Sequence, residues 1–180
     1  VAQAEHITIR HVVETDIAAV TEIYAREVLE GVATFELEPP DTAEMATRID
    51  ALKQAGYPWL VAECEGAIAG YAYAGPFRSR PAFRHTVENS VYLSPDFQRL
   101  GIGRLLLDRL IAECEARDFR QMIAVIGGSD NLGSIRLHER CRFAHTGVWK
   151  STGWKFGRWI DCVVLQRELG RGDKEPATGG

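Results

Sequence analysis

The chain contains no CxxC pair. Its four cysteines, Cys64, Cys114, Cys141 and Cys162, lie far apart in apolar, periodic contexts. They read as reduced, buried thiols of a cytoplasmic protein rather than as a disulfide framework. Five histidines show no HxxxH spacing, so no metal site is expected. No apolar run approaches the roughly 18 residues of a membrane span. The start, VAQAEHITIR, lacks a basic stretch followed by an apolar one, so no secretory leader is expected. Basic surplus is missing too. The 21 Lys+Arg against 25 Asp+Glu leave a net charge of −4, which speaks against a nucleic-acid-coating protein. A small anionic ligand at a local site stays open.

What is present is ordinary for a globular domain. There are 180 residues, 46% apolar and 26% charged. A chain of this length buries roughly 70% of its unfolded surface and needs no staple. Ile7 and Ile9 alternate with polar neighbours, a short strand. Thr15 and Asp16 offer capping oxygens for an amphipathic helix carrying Ile17, Val20, Ile23, Tyr24 and Val28. Asp41 with Glu44 starts a second helix, which Gly56 and Pro58 end. WLVAEC and AIAGYAYAG form a hairpin, and RHTVENSVYL is a strongly β-type run. RLLLDRLIAECEARDF is a long helix, QMIAVIGG a strand, and DNLGSIRLHERC a short helix capped by Asp130 or Asn131. FAHTGVWKSTG and RWIDCVVLQREL close the set. The order β-α-α-β-β-β-α-β-α-β-β implies one α+β domain around a mixed sheet. Residues 170–180, GRGDKEPATGG, hold no large apolar anchor and read as a flexible tail.

Gln98-Arg99-Leu100-Gly101-Ile102-Gly103 stands between a strand and a strong helix. Glycines there let backbone N–H groups converge on one point, helped by the helix dipole. Arg99 and Arg104 add positive charge. There is no GK[ST] ending for a P-loop and no third glycine for a dinucleotide fingerprint. A glycine-rich helix start without a ligand and the acyl-coenzyme-A signature Q/R-x-x-G-x-G/A both stay open.

In the run 86–93, Val87, Asn89, Val91 and Leu93 share one face and Thr86, Glu88, Ser90 and Tyr92 the other. Glu88 in a central strand fits a general base for an amine, or a carboxylate paired with an arginine. Asn131, Ser134 and His138 form one helical stripe, a ligand-facing or a solvated one. Arg78, Arg80 and Arg84 precede the β-run, either as surface charge or as a clamp for an anionic acceptor. Trp149, Trp154, Phe156 and Trp159 are packed into a short stretch, as at an interface or in a core.

The element order, the glycine motif and the N-x-x-S-x-x-L stripe resemble the GNAT superfamily of acyl-CoA N-acyltransferases over roughly residues 5–169. TVENSVY, the ATFE loop and KFGRWID resemble its phosphinothricin and methionine sulfoximine N-acetyltransferase group. The resemblance implies a single GNAT-like domain of three-layer type, with a largely antiparallel central sheet flanked by helices. It implies acetyl-CoA as co-substrate, without a metal. The reaction would transfer acetyl to the α-amino group of a small amino-acid-like acceptor, by direct attack. Glu88 would be the general base, the Leu93 N–H the oxyanion donor, and His138 the proton donor to the leaving thiolate. Val91, Tyr92 and Leu93 would hold the pantetheine arm. Gln98, Arg99, Leu100, Gly101, Ile102, Gly103, Arg104, Asn131 and Ser134 would bind the rest. Phe35, Arg78, Ser79, Arg80, Asn89, Ser90 and Lys155 would face the acceptor, with Lys155 coming from the second subunit of a homodimer. Two positions depart from the pattern. His138 replaces a tyrosine, and Arg142 stands where glycine precedes the Phe. Alternatives are a protein N-terminus or polyamine as acceptor, or a non-catalytic CoA sensor.

Overall fold

The computed structural model describes residues 7–177. Among these, seven strands form one sheet. They are β1 (Ile7–His11), β2 (Trp59–Cys64), β3 (Ala67–Pro76), β4 (Thr86–Leu93), β5 (Gln121–Gly127), β6 (Ala144–Lys155) and β7 (Arg158–Glu168). Four helices accompany them: α1 (Ile17–Glu30), α2 (Thr42–Gln54), α3 (Ile102–Ala116) and α4 (Leu132–Arg140). The sheet runs β1-β2-β3-β4-β5-β7-β6. Every neighbouring pair is antiparallel except β4–β5. The expected order and mixed, largely antiparallel character therefore hold.

Two apolar cores cover the two faces of the sheet. Leu60, Val87, Leu106, Leu110 and Leu165 belong to the core beneath α3. Val20, Tyr24, Ile49, Trp59, Tyr71 and Tyr92 belong to the core beneath α1 and α2. The alternation read in 86–93 follows. Val87, Val91 and Leu93 pack toward α3, and Tyr92 packs toward α1.

Helix starts are partly as read. Asp41 accepts from Glu44 N at 2.8 Å, and Asn131 accepts from Ser134 N at 3.2 Å. Asp16 does not cap α1. Its carboxylate accepts from Val13 N at 2.9 Å and pairs with Arg10 at 2.6 Å, because a short 3-10 turn over Glu14–Asp16 precedes the helix.

The start of the expected domain at residue 5 and the end of the expected tail, residues 178–180, lie outside the described residues. Within the described part of the tail, the Arg120 guanidinium donates to Gly172 O at 3.2 Å and Pro176 O at 3.4 Å. Arg171 pairs with Asp118 at 3.0 Å. The four cysteines are free thiols. Burial pushes Cys114 up to about 12 and Cys141 up to about 11, which removes both from thiolate chemistry near neutral pH. No described helix is long and apolar enough to cross a membrane.

Candidate functional site

The parallel ladder between β4 and β5 covers Thr86–Gln121, Val87–Met122 and Glu88–Ile123, then stops. β5 goes on to Gly127 beside β7, while β4 goes on to Leu93 beside β3. The two central strands therefore part beyond Glu88. Thr86 O accepts from Phe77 N, and Ser94 N donates to Ala69 O. Backbone groups of the even-numbered residues thus point at β3, and alternation turns those of Asn89, Val91 and Leu93 toward the opening. The expected Leu93 N–H faces the gap between the strands.

A cleft of about 250 Å³ occupies this opening. Glu88, Asn89, Ser90, Val91 and Tyr92 line one side, and Ala124, Val125, Ile126 and Gly127 the other. Asn131, Ser134 and His138 close it from α4, and Tyr24, Thr34, Phe35 and Tyr73 from the α1 side. Burial raises the Glu88 carboxyl above its ordinary pKa, and the Arg78 charge pulls it partly back. Arg78 is itself exposed, its guanidinium 5.0 Å from the Phe77 ring centre. Ser79 and Arg80 are exposed beside it. None of these three lines the cleft wall; they stand on the loop outside it.

Gln98–Arg104 also lies outside the enclosed part. Gly101 adopts φ +83°, a left-handed turn open to glycine at no steric cost, and ends just before α3. A Cβ at Gly103 would stand 3.3 Å from both Leu137 and Leu93 side chains, so α3 starts close against the end of β4 and against α4. Ile102 is fully buried and Leu100 packs on the same core, while Gln98, Arg99 and Arg104 are exposed. Arg104 bridges to Asp108 at 3.3 Å on its own helix.

Two residues with expected roles are already engaged within the chain. One is Lys155. It is 2% exposed, and its ammonium donates to Gly31 O at 2.8 Å, Thr34 O at 2.9 Å and Glu27 O at 3.5 Å of its own chain. It fastens the loop after α1, which carries Phe35. The other is His138, which is hydrogen-bonded at both ring nitrogens. Its Nδ1 lies 2.8 Å from Ser134 O, and a carbonyl only accepts, so Nδ1 holds the proton. Nε2 lies 2.8 Å from Asn89 Nδ2 and accepts from it. Burial lowers the ring's pKa, which favours the neutral form. Asn131 spends its Oδ1 on capping α4.

Tyr24, Thr34 and Tyr73 escaped the sequence reading, since Tyr24 and Tyr73 sit at apolar positions of regular elements. The Tyr24 hydroxyl donates to Glu36 Oε1 at 2.8 Å and accepts from Thr34 Oγ1 at 2.8 Å. Arg48 clamps Glu36 from α2 at 2.7 Å and 3.2 Å. Burial alone would raise the Glu36 carboxyl, yet the bonds from Arg48 and Tyr24 leave it below its ordinary value. Phe35 lies on Gly153, where any Cβ would overlap its ring.

The arrangement suits an extended arm carrying amides. It has a strand whose ladder with β5 ends at Glu88, a glycine turn at a helix N-terminus, and a buried oxygen, Asn89 Oδ1, that has no partner among the described residues. No described cluster of His, Cys, Asp and Glu could hold a metal ion.

Comparison with known proteins agrees with that fit. Residues 18–143 match the model of the acetyltransferase (GNAT) family. The chain is 51% identical to phosphinothricin N-acetyltransferase of Alcaligenes faecalis, over 92% of this chain and 84% of that one. It is 42% identical to L-methionine sulfoximine/L-methionine sulfone acetyltransferase of Salmonella typhimurium, over 91% and 95%. A crystal structure of a GNAT superfamily phosphinothricin acetyltransferase from Sinorhizobium meliloti, in complex with AcCoA, superimposes with a TM-score of 0.93 at 48% identity, covering 97% of this chain and 95% of that one. The chain thus belongs to the GNAT acetyltransferase family and is an acetyl-CoA-dependent N-acetyltransferase.

Proposed function

We propose that the acceptor is the α-amino group of a small amino-acid-like molecule of the phosphinothricin, methionine sulfoximine or methionine sulfone type. The names of the relatives support this class. The observation that carries the mechanism is Glu88, a carboxylate in the cleft whose pKa burial raises. Acetyl-CoA supplies the acetyl group as a thioester. An acceptor amine arrives as ammonium and attacks only after losing a proton. Glu88, whose pKa burial raises above the ordinary carboxylate range, takes that proton. The Leu93 N–H, turned into the opening, steadies negative charge on the carbonyl oxygen of the tetrahedral intermediate; its collapse breaks the C–S bond and releases the coenzyme A thiolate, which takes a proton from solvent. Arg78 and Arg80 attract the acceptor's anionic groups from the loop above, with Ser79 between them. Phe35 and Ser90 shape the acceptor side.

The same reading includes a homodimer. β6 lies at the edge of the sheet and is exposed over most of its length. Trp149, Trp154, Phe156 and Trp159 are 40%, 56%, 54% and 62% exposed on this hairpin. So much aromatic surface on an unpaired edge is costly to leave in water, and a second copy would cover it.

The test is acetyl-CoA consumption over a panel of amines, including the three named acceptors, polyamines and N-terminal peptides. Turnover with the amino-acid-like acceptors, and its loss in Glu88→Gln, is the expected result. Turnover confined to polyamines or peptides would reject the acceptor class, and equal rates in both proteins would reject the base.

A further inference from the structure

β4 divides a half-buried carboxylate and a buried amide between its faces. Glu88 points to the α1–α2 side, and Asn89 points to the α4 side, where it meets His138. Asn89 is 7% exposed and His138 4% exposed. The chain of bonds that joins them has one direction. Ser134 O can only accept, so His138 Nδ1 donates to it. The neutral ring then offers Nε2 as an acceptor alone, and the Asn89 amide must present Nδ2 to it. With Nδ2 held, the amide cannot flip, and Oδ1 is left on the side of the amide away from His138, in a residue that lines the cleft. That oxygen is buried and has no hydrogen-bond partner among the described residues.

A buried carbonyl oxygen without a donor costs free energy unless something supplies one. Two reactants share this cleft, and the faces of β4 tell them apart. Glu88 must touch the amine that is acetylated, so the amine enters from the α1–α2 side. A donor that reaches Asn89 Oδ1 comes from the other side, beside α4 and the start of α3. An amide N–H of the cofactor arm has the required chemistry and lies in the required direction. This rests on acetyl-CoA occupying the β4–β5 opening.

We propose that Asn89, locked in one amide orientation by His138 and Ser134, accepts a hydrogen bond from an amide N–H of the acetyl-CoA arm. Asn89 thereby moves from the acceptor side, where the sequence resemblance put it, to the cofactor side. His138 becomes a positioning residue. It works by holding the Asn89 amide and not by releasing a proton.

Calorimetric titration with acetyl-CoA and with acetyl-pantetheine, which keeps the arm but lacks the nucleotide, tests this. Asn89→Leu is expected to weaken both by about tenfold, the loss of one buried hydrogen bond. Asn89→Ala serves if the leucine does not fit, with thermal melting to confirm folding. His138→Leu, which frees the amide to rotate, is expected to weaken both ligands by a smaller factor. His138→Gln restores an acceptor for Nδ2 and is expected to recover affinity. The Asn89→Leu/His138→Leu double variant should be no weaker than Asn89→Leu alone, because His138 acts only through Asn89. The pH profile of kcat/KM should keep its shape in His138→Gln, since His138 gives no proton. Equal affinity of wild type and both folded Asn89 variants would overturn the inference, as would additive losses or a pH limb that His138→Gln removes. Failure of the wild type to bind either ligand would instead remove acetyl-CoA from the cleft, which is a failure of the underlying reading.

Discussion

The ammonium of Lys155 donates to the carbonyl of Gly31 at 2.8 Å, across 124 residues of sequence. With the bond to Thr34 O, it ties the end of β6 to the loop that leaves α1. A buried cation held by carbonyls cannot be replaced by an apolar chain without orphaning them. Lys155→Met is expected to lose about 1–3 kcal/mol of stability, read from denaturant midpoints. It should also raise KM for the acceptor, since Phe35 rides on that loop, with acetyl-CoA affinity near wild type. A change confined to acetyl-CoA binding would contradict the placement.

As the proposed base, Glu88 would set a pH dependence that rises with its ionisation and is displaced upward by burial. A raised carboxylate pKa means that the basic form appears only above the ordinary range of about 4.3. The kcat/KM profile is expected to rise with pH through a limb displaced upward from that value. Glu88→Gln should abolish the limb and lower kcat by about 10²–10⁴. Arg78 holds the Glu88 pKa down, so Arg78→Ala should move the limb to still higher pH. A limb that stays put in Arg78→Ala would separate the two residues.

Gly153 lies under the Phe35 ring, and a methyl group there overlaps it. Gly153→Ala is therefore expected to displace Phe35 and change acceptor KM severalfold while leaving acetyl-CoA affinity unaltered. Steady-state kinetics over two acceptors of different side-chain size would read it. Equal effects on both substrates would point to a general disturbance instead.

Arg142 adopts φ +64° after α4. Its side chain pays a steric cost that glycine does not. Arg142→Gly should raise stability by about 0.5–1 kcal/mol in urea unfolding, with activity unchanged.

Trp159 is 62% exposed and packs edge-on against Trp154 at 5.1 Å between ring centres. If a second copy covers this hairpin, Trp159→Glu should shift the mass measured by light scattering from dimer to monomer. A wild type that runs as a monomer would refute the dimer directly.

The framework of the fold was legible because it depends on local patterning. Apolar spacing of three and four marked α1 and α3, and alternation marked the two faces of β4. Asp41 declared the start of α2 through its own carboxylate. Asp16 misled for a tertiary reason. Its partner, Arg10, sits on β1, and that pairing pulls the carboxylate away from the α1 cap. Arg142 was readable as a departure from a glycine position, yet only the backbone shows that the left-handed turn is kept.

The site divides in the same way. Glu88 in a β-type run, the glycine turn at Gly101 and Gly103, and the stripe from Asn131 to His138 are properties of short segments, and the sequence by itself determined them together with the family. Whether His138 gives a proton or holds an amide depends on Ser134 and Asn89, the second of which is 49 residues away. Whether Lys155 meets a substrate or a loop depends on carbonyls more than 120 residues distant. Only the tertiary structure decided these contacts, because a hydrogen bond takes its donor, acceptor and direction from groups that folding brings together.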